Sequence, residues 1–269
     1  MLLNKRRHFF EFCDQSWLPK SVRQIYMECL NFAHDIESGY ALMVRKFVEW
    51  VDRSGGHSVV DLASGGANHI KLMLKIAKPA GIKLPRIVLT DLFPQLDQYQ
   101  SLQQQGNDLI SFAEQPVAVN RVPDQLGELR SMFSALHHFT PEEVRLIFAD
   151  SLKNGKGIFI AEPFERSWRD LLVMLLGVPL FMLYPLLRRF SIKRFVLCTL
   201  VPVIPLTIVF DGVVSVLRCY KFPELLDLLP QDQLYDLELG YGTVFSGKLR
   251  ASMYFHVIKK QSGLVSQAA

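Results

Sequence analysis

Apolar residues in the middle of the chain come in short runs that alternate with stretches of helical periodicity. The short runs predict strands at residues 57–62, 86–90, 116–119, 131–134 and 157–161. The stretches between them predict helices at about residues 68–78, 94–105, 123–128 and 141–153. Short apolar strands that alternate with helices are typical of a parallel sheet covered on both faces. This part of the chain therefore predicts an α/β fold.

The two ends of the chain add other elements. Residues 1–53 keep helical spacing, and a second helix is expected from about residue 39 to residue 51. The last strands are predicted at residues 234–239 and 251–258, and the glycine-rich segment GYGTVFSG between them is interpreted as a hairpin-like connection. The tail from residue 261 onward is predicted to be disordered.

Residues 58–68 combine a strand, a turn of small residues and the start of a helix. The strand ends in Asp61, and the helix is expected to be capped by Asn68. The turn between them consists of Ala63, Ser64, Gly65, Gly66 and Ala67. Small residues let a ligand approach the backbone, and a helix start offers unpaired N–H groups, so the segment suits a nucleotide. The alternative is an ordinary turn between a strand and a helix.

Polar residues lie at or near the ends of five predicted strands. They are Asp61, Asp91, Asn120, Ser134 and Glu162. Ligands of open parallel sheets bind at the carboxyl ends of the strands. Asp91 follows Gly65 by 26 residues, and an acid there can accept hydrogen bonds from both hydroxyls of a ribose. The other role open to Asp91 is that of a helix N-cap.

These motifs resemble those of the class I S-adenosylmethionine-dependent methyltransferases. The first family motif, an acid before a GxGxG turn, corresponds to Asp61 and residues 63–67, where Ala63 and Ala67 replace the outer glycines and Gly65 is kept. Alanine is disfavoured where φ must be positive. The segment FSALHHF is similar to the family's fourth-strand motif. The resemblance implies a Rossmann-like sheet of seven mostly parallel strands with the last antiparallel, N-terminal helices, and a hydrophobic helical insertion between strands 5 and 6.

The resemblance also implies S-adenosylmethionine as the cofactor and suggests which residues serve it. The cofactor-binding candidates are Asp61, Ala63, Ser64, Gly65, Gly66, Asn68, Asp91, Leu92, Asn120 and Ser134. The family often places an acid after the third strand, and Asn120 in the segment VAVN is the weaker substitute for it. The catalytic candidates are His137, His138 and Glu162.

Each catalytic candidate has a second interpretation. The histidines are suited to act as a general base or to contact cofactor or substrate, but they could also only hydrogen-bond at a strand end. Glu162 either contacts the substrate or pairs with an arginine such as Arg166.

The substrate-binding candidates lie on both sides of the apolar insertion. They are Asp14, Trp17, Arg218 and Tyr220. Asp14 and Trp17 belong to the segment FEFCDQSWLP, which is either the lead-in to a helix or a flap over the pocket. If residues 211–220 are helical, then Asp211, Ser215 and Arg218 share one face. Such a face either lines a pocket or locks the insertion in place.

The excess of apolar residues lies in two runs between residues 171 and 210. The runs are 17 and 16 residues long, and each contains two prolines. A spanning helix needs ~20 apolar residues, and a hairpin would put the basic tip at residues 188–194 outside, against the positive-inside rule. We therefore predict an interfacial membrane element whose tip meets anionic headgroups, with a lid over the pocket as the alternative.

Composition adds mainly exclusions. The chain has 269 residues and a net charge of +4, without a dense basic tract that would indicate a nucleic-acid partner. Its four cysteines lack metal-ligand spacing, so we expect reduced thiols and no metal site. The basic N-terminus has no long apolar run behind it and is not interpreted as a signal peptide. We expect a cytoplasmic protein at the inner face of the membrane.

Together these features predict a methyltransferase that acts on a hydrophobic small molecule or a lipid-like acceptor at the membrane surface. Two alternatives are a catalytically degenerate membrane-associated binding module and, less favoured because GxGxxG is absent, an NAD-dependent oxidoreductase. The predicted organisation is a helical cap at residues 1–56, a cofactor-binding domain at 57–165 and 230–260, the insertion at 166–229, and the tail at 261–269.

Overall fold

The described strands form one seven-stranded sheet. The computed structural model describes residues 3–36, 40–188, 190–246 and 250–260. The strands are β1 (Ser58–Leu62), β2 (Arg86–Leu89), β3 (Ile110–Phe112), β4 (Leu129–Phe133), β5 (Gly157–Glu162), β6 (Leu237–Ser246) and β7 (Arg250–Lys259). Their order is β3-β2-β1-β4-β5-β7-β6. Strands β1 to β5 are parallel, and β7 runs antiparallel to β5. The predicted Rossmann-like methyltransferase sheet is confirmed.

Helices precede the sheet, alternate with its strands and fill the insertion. The helices of the described residues are α1 (Lys20–Ile36), α2 (Tyr40–Ser54), α3 (Asn68–Ala77), α4 (Leu96–Gly106), α5 (Pro141–Lys153), α6 (Trp168–Leu176), α7 (Val178–Leu187), α8 (Ile192–Phe195), α9 (Val203–Arg218) and α10 (Phe222–Leu228). Helices α6 to α9 lie between β5 and β6 in the chain, where the insertion was expected. Helix α5 begins with a capping box formed by Thr140 and Glu143 and has a proline in its first turn, both of which favour a helix start.

The central strands are apolar because both of their faces are covered. Every residue of β4 and β5 is buried. On α2, the ring of Phe47 packs against Phe133 and Phe159, and the ring of Trp50 packs against Phe159. A strand covered on both sides carries a continuous apolar run, so the pattern that predicted these strands follows from their burial.

The chain divides into two compact units. The sheet unit contains the described residues of 40–163, 222–244 and 253–260, and the helical unit contains those of 3–36, 164–221, 245–246 and 250–252. Helix α2 thus belongs to the sheet unit and α1 to the helical unit. Each unit has its own apolar core.

In the helical unit, α1 packs against the insertion. Ile25 and Cys29 of α1 share a buried cluster with Phe181 of α7 and Ile208 of α9. The stretch Trp168–Leu187 is long and apolar enough to cross a membrane, and Ile192–Leu200 with Val203–Arg218 would make a second such stretch that is bent by 57°.

The third strand lies earlier in the chain than predicted. It is Ile110–Phe112, and the residues predicted as a strand, 116–119, belong to a loop. Val117 is buried in that loop, and its N–H donates to the carbonyl oxygen of Asp91 at 2.9 Å. Loop packing therefore produces the apolar pattern that periodicity alone assigns to a strand.

The glycine-rich segment GYGTVFSG was wrongly interpreted as a connection, because its first seven residues lie inside β6. A Cβ on Gly240 would lie 2.2 Å from the ring of His256, and one on Gly242 would lie 2.7 Å from the hydroxyl of Tyr254. Both rings belong to the neighbouring strand β7. The glycines are needed because aromatic side chains of β7 cover their backbone.

Two further elements differ from the predictions. Residues 123–128, predicted as a helix, form only a short 3₁₀ turn at Asp124–Leu126. The polar residues that follow the second apolar run would suggest a turn from residue 211, but residues 211–218 are the end of the continuous helix α9. Polar side chains interrupt the apolar pattern of α9 because they bind another segment, as described below. The predicted disordered tail and the predicted helix start at residue 39 lie outside the described residues.

Candidate functional site

The turn after β1 has left-handed backbone at every second residue. The φ angle is 52° at Ala63, 53° at Gly65 and 50° at Ala67. These are the three positions that glycine occupies in the GxGxG motif. The backbone at all three positions is therefore of the kind that glycine adopts without strain, although alanine stands at two of them. Left-handed backbone costs a non-glycine residue roughly 1–2 kcal/mol, which other contacts of the turn must offset.

The buried carboxylate of Asp61 fixes this turn through hydrogen bonds. Its Oδ2 accepts a hydrogen bond from the Ser64 hydroxyl at 2.6 Å and lies 2.8 Å from His69 Nε2. Its Oδ1 accepts from the Ser131 hydroxyl at 2.8 Å. Donors from the turn, from α3 and from β4 thus meet at one carboxylate. A buried acid that is satisfied by three partners fixes the backbone around it.

Asp91, two residues after the end of β2, binds the same turn. Its Oδ2 accepts from the N–H of Gly65 at 2.8 Å, and its Oδ1 accepts from the N–H of Phe93 at 2.8 Å. The hydroxyl of Thr90 donates to the carbonyl oxygen of Asp61 at 2.7 Å. The structure therefore brings Asp61 and Asp91 to one turn. Each carboxylate oxygen of Asp91 retains a second lone pair that suits a ribose hydroxyl.

Space lies open in front of the turn. A Cβ on Gly65 would have no atom within 4 Å, so this backbone is accessible to a ligand. A Cβ on Gly66 would meet the Gln98 side-chain oxygen at 2.6 Å. Beyond Asp91, the apolar side chains of Leu92 and Phe93 are 53% and 79% exposed. Exposed apolar side chains next to an acid with free lone pairs suit the face of a base.

Asn68 does not cap α3 as predicted. The N-cap residue is Ala67, which makes no side-chain hydrogen bond to the helix, and Asn68 is the exposed first residue of α3. The left-handed Ala67 brings the chain into the helix one residue earlier than expected, so Asn68 is already a helical residue. The first N–H groups of α3 thus lack a capping side chain from the N-cap residue, which suits an anionic group of a ligand.

Ser134 follows β4 directly, but Asn120 does not follow a strand. Asn120 is exposed in the loop after β3, because that strand ends at Phe112. The expectation that Asn120 stands at a strand end is therefore wrong. Ser134 is exposed and has a φ of 54°.

Residues with strained backbone lie together at the carboxyl ends of the central strands. Ala63, Ala67 and Ser134 are the non-glycine residues with positive φ in the part of the chain that the structure describes. All three follow the carboxyl ends of β1 and β4, which are neighbours in the sheet. Strained conformations of this kind cluster at functional sites.

A histidine and a glutamate form a buried pair at the ends of β4 and β5. His137 Nδ1 lies 2.6 Å from Glu162 Oε2, and the His137 N–H donates to Glu162 Oε1 at 3.3 Å. The ring of His138 lies next to that of His137, with centroids 4.2 Å apart and the ring planes tilted by 35°. When Nδ1–H donates to the carboxylate, Nε2 is the basic nitrogen of the ring. The sequence named these three residues as catalytic candidates without predicting the pair.

The substrate-binding candidates lie in the helical unit. Arg218 is 4% exposed, and its Nη1 lies 3.1 Å from Glu11 Oε1 and 3.4 Å from Asp14 Oδ2. Tyr220 is buried, and the guanidinium carbon of Arg6 lies 4.3 Å from the centroid of its ring. Trp17 is 63% exposed. Their role in substrate binding stays a prediction.

The polar face of α9 binds the N-terminal segment of the chain. Asp211 accepts hydrogen bonds from the N–H groups of Phe12 at 2.7 Å and Cys13 at 3.0 Å and from the Tyr26 hydroxyl at 3.0 Å. Burial raises the pKa of Asp211. The Ser215 hydroxyl donates to Glu11 at 2.9 Å. These are the contacts expected of a structural lock.

Sequence reasoning missed three residues that shape the turn. They are His69, Thr90 and Ser131, whose contacts with Asp61 are described above. The signal for Ser131 was a hydroxyl inside a segment predicted to be a buried strand, because a buried hydroxyl requires a partner. His69 also stacks on Phe133, with ring centroids 4.9 Å apart, and no local pattern indicates that contact.

Comparison with known proteins supports the fold. No protein-family model matches the chain, and no curated protein does. Among solved structures, the plantazolicin methyltransferase BpumL in complex with SAH is similar, with a TM-score of 0.53, 12% identity and coverage of 92% of this chain and 94% of that one. Magnesium protoporphyrin IX methyltransferase ChlM from Synechocystis PCC 6803, with bound SAM, has a TM-score of 0.46 at 10% identity over 93% of this chain and 88% of that one. At this identity, the likeness to BpumL shows that the two chains share a fold.

Proposed function

We propose that this protein is an S-adenosylmethionine-dependent methyltransferase that acts on a hydrophobic small molecule or lipid-like acceptor at a membrane surface. The observation that carries the proposal is the left-handed turn at residues 63–67, which is tied to Asp91 through the N–H of Gly65. BpumL, which shares the fold, is described in complex with SAH.

The residues present fit this cofactor. Asp91 would accept the ribose hydroxyls, and the exposed Leu92 and Phe93 would lie against the adenine. The open space at Gly65 would admit the rest of the molecule, and the start of α3 would face an anionic group. The turn keeps this shape with alanine at both outer positions, so the missing glycines give little support to the non-catalytic alternative.

The cofactor supplies an activated methyl group, and the protein supplies position and a base. Methyl transfer from a sulfonium depends mainly on an in-line arrangement of the acceptor atom and the methyl group. Where the acceptor holds a proton, the pair of His137 and Glu162 would remove it, with Glu162 fixing the ring so that Nε2 is the base.

The insertion supports a hydrophobic acceptor. On α6 and α7, Leu172, Leu176 and Leu187 are 56%, 67% and 58% exposed. Exposed apolar surface of this kind marks a binding region for an apolar partner. A hydrophobic acceptor dissolved in a membrane would be reached most readily by an enzyme that rests on that membrane, on its cytoplasmic side.

Two measurements test the proposal. Calorimetric titration with S-adenosylhomocysteine should show binding by the wild type and a loss of more than about tenfold in Asp91→Ala, because the ribose acceptor is removed. Asp97→Ala, an exposed acid on α4, is the matched control and should bind like the wild type. Incubation with radiolabelled methyl donor and a lipid and metabolite extract should label the apolar fraction. Absence of cofactor binding by the wild type would refute the proposal.

A further inference from the structure

One face of the insertion is apolar and exposed. We define the insertion face by Leu172, Leu176, Leu183, Leu187, Ile192 and Leu200, which are 47–77% exposed. The first four are spaced by four, seven and four residues along the stretch Trp168–Leu187, so helical periodicity puts them on one side. Within an 18-residue segment of that stretch, only 28% is buried against the rest of the protein. Exposed apolar surface on this scale is typical of a binding face.

The opposite side of the insertion is covered by a helix with a polar outer side. Phe181 and Tyr184 of α7 are buried in the cluster that α1 helps to form. On α1, Lys20 and Gln24 are exposed, and Glu28 binds Arg194 of α8 at 2.8 and 2.9 Å. If the insertion crossed a bilayer, this polar side of α1 would have to enter the hydrocarbon, which is costly. The helical unit therefore fits a position with lipid on one side and water on the other.

The charge of the insertion selects the kind of lipid. Residues 171–210 contain four basic residues and no acidic residue. Lys193 at the tip is exposed, and Trp168 at the other end of the apolar stretch is 66% exposed. Basic residues and tryptophan beside an apolar helix are typical of an element that lies in the membrane interface. Basic residues at that depth attract anionic headgroups.

We infer that the insertion face binds one leaflet of an anionic phospholipid membrane without crossing it. This inference rests on the proposed membrane-surface function and specifies its partner and geometry. The apolar side chains enter the leaflet, Lys193 lies among the phosphates, Arg194 stays paired with Glu28, and α1 faces water.

Flotation of the full-length protein with preformed vesicles tests the inference. The wild type should bind vesicles of phosphatidylcholine and phosphatidylglycerol more tightly than vesicles of phosphatidylcholine alone. Leu176→Glu should weaken binding about tenfold or more, because a charge would then have to enter the leaflet in place of an apolar side chain. Leu146→Glu on α5, where the leucine is 53% exposed, is the matched control and should bind like the wild type.

Two further variants test the role of the basic charge and the depth of the tip in the bilayer. Lys193→Glu should weaken binding to the anionic vesicles about fivefold or more, and Lys153→Glu, an exposed lysine on α5, should not. A fluorophore on Phe190→Cys should remain quenchable by iodide added outside the vesicles. Protection of that fluorophore would show that the tip has crossed the bilayer and would overturn the single-leaflet geometry.

Titration of the same variants with S-adenosylhomocysteine separates this inference from the proposed function. If the wild type binds the cofactor but no vesicle, the inference fails and methyl transfer to a soluble hydrophobic acceptor remains. If light scattering shows a dimer that Leu176→Glu dissociates, and no vesicle binds, the face serves a second copy of the chain and the inference is also overturned. Unchanged circular dichroism of the variants shows that folding is not the cause.

Discussion

At the scale of single residues, Ala63 and Ala67 hold a backbone conformation that glycine adopts without steric cost. Replacing Ala67 by glycine removes strain of roughly 1–2 kcal/mol, but it also gives the unfolded chain more freedom, which costs about 0.5–1 kcal/mol. We expect Ala67→Gly to change the free energy of unfolding by between zero and about 1.5 kcal/mol in the stabilising direction. Urea denaturation measures this change.

Ala77→Gly is the control for that substitution. Ala77 is the last residue of α3, the helix whose N-cap position Ala67 occupies, and it has ordinary helical backbone, so its glycine variant should lose about 1 kcal/mol. Equal destabilisation by both glycine variants would contradict the left-handed conformation of Ala67.

Gly65 separates strain from ligand binding. Its φ is 53° and a Cβ there would meet no protein atom, so Gly65→Ala should cost only about 1–2 kcal/mol of stability. The added methyl group would, however, occupy the space proposed for the cofactor. Affinity for S-adenosylhomocysteine should therefore fall more than about tenfold, as measured by calorimetry.

Gly81 provides a matched control for Gly65. Its φ is 63°, and a Cβ on it would also meet no atom within 4 Å. Gly81→Ala should lose as much stability as Gly65→Ala and keep the wild-type affinity. If both variants keep their affinity, the turn is not the cofactor site.

At the scale of elements, β6 and β7 are fitted to each other by glycine and aromatic residues. The backbone of Gly240 lies under the ring of His256, and a Cβ on Gly240 would come within 2.2 Å of that ring. Gly240→Ala should cost about 3 kcal/mol, because a buried ring has little room to move. Thermal or urea unfolding of the variant gives this value.

A double-mutant cycle distinguishes this clash from a general intolerance of the strand. In a His256→Ala background the ring is absent, so Gly240→Ala should then cost less than about 1 kcal/mol. Purely additive effects of the two substitutions would show that the ring is not responsible.

At the scale of the whole molecule, a buried histidine makes stability depend on pH. His256 is 7% exposed, and its ring nitrogens have no hydrogen-bond partner among the described residues. Burial lowers its pKa from 6.5 to about 4. Between these values the unfolded chain binds a proton that the folded chain does not. Stability is therefore complete above about pH 6.5 and falls by on the order of 3 kcal/mol as the pH approaches 4.

His256→Phe should remove most of this dependence. A phenylalanine keeps a flat ring beside Phe159 and Tyr254, which stack with His256 at centroid distances of 6.2 and 6.1 Å, and it does not titrate. The slope of unfolding free energy against pH between 4 and 6.5 should be smaller in the variant than in the wild type. Identical slopes would assign the pH dependence to other groups.

The amino-acid sequence alone determined the local elements and the chemistry that they carry. Alternation of apolar runs and helical periodicity located four of the first five strands and three of the four helices predicted between them, because burial on both faces leaves a local mark on the residues. Small residues after β1 and the acids Asp61 and Asp91 indicated the turn, because turn chemistry also depends on neighbouring residues. The apolar insertion was visible in composition.

Only the tertiary structure decided which residues meet across the chain. It paired His137 with Glu162, gathered His69 and Ser131 around Asp61, and bound the N-terminal segment to α9. It also placed Gly240 under His256, which converted an apparent connection into a strand. Such pairings depend on how distant segments pack, and periodicity and turn preference report only on residues close together in the chain.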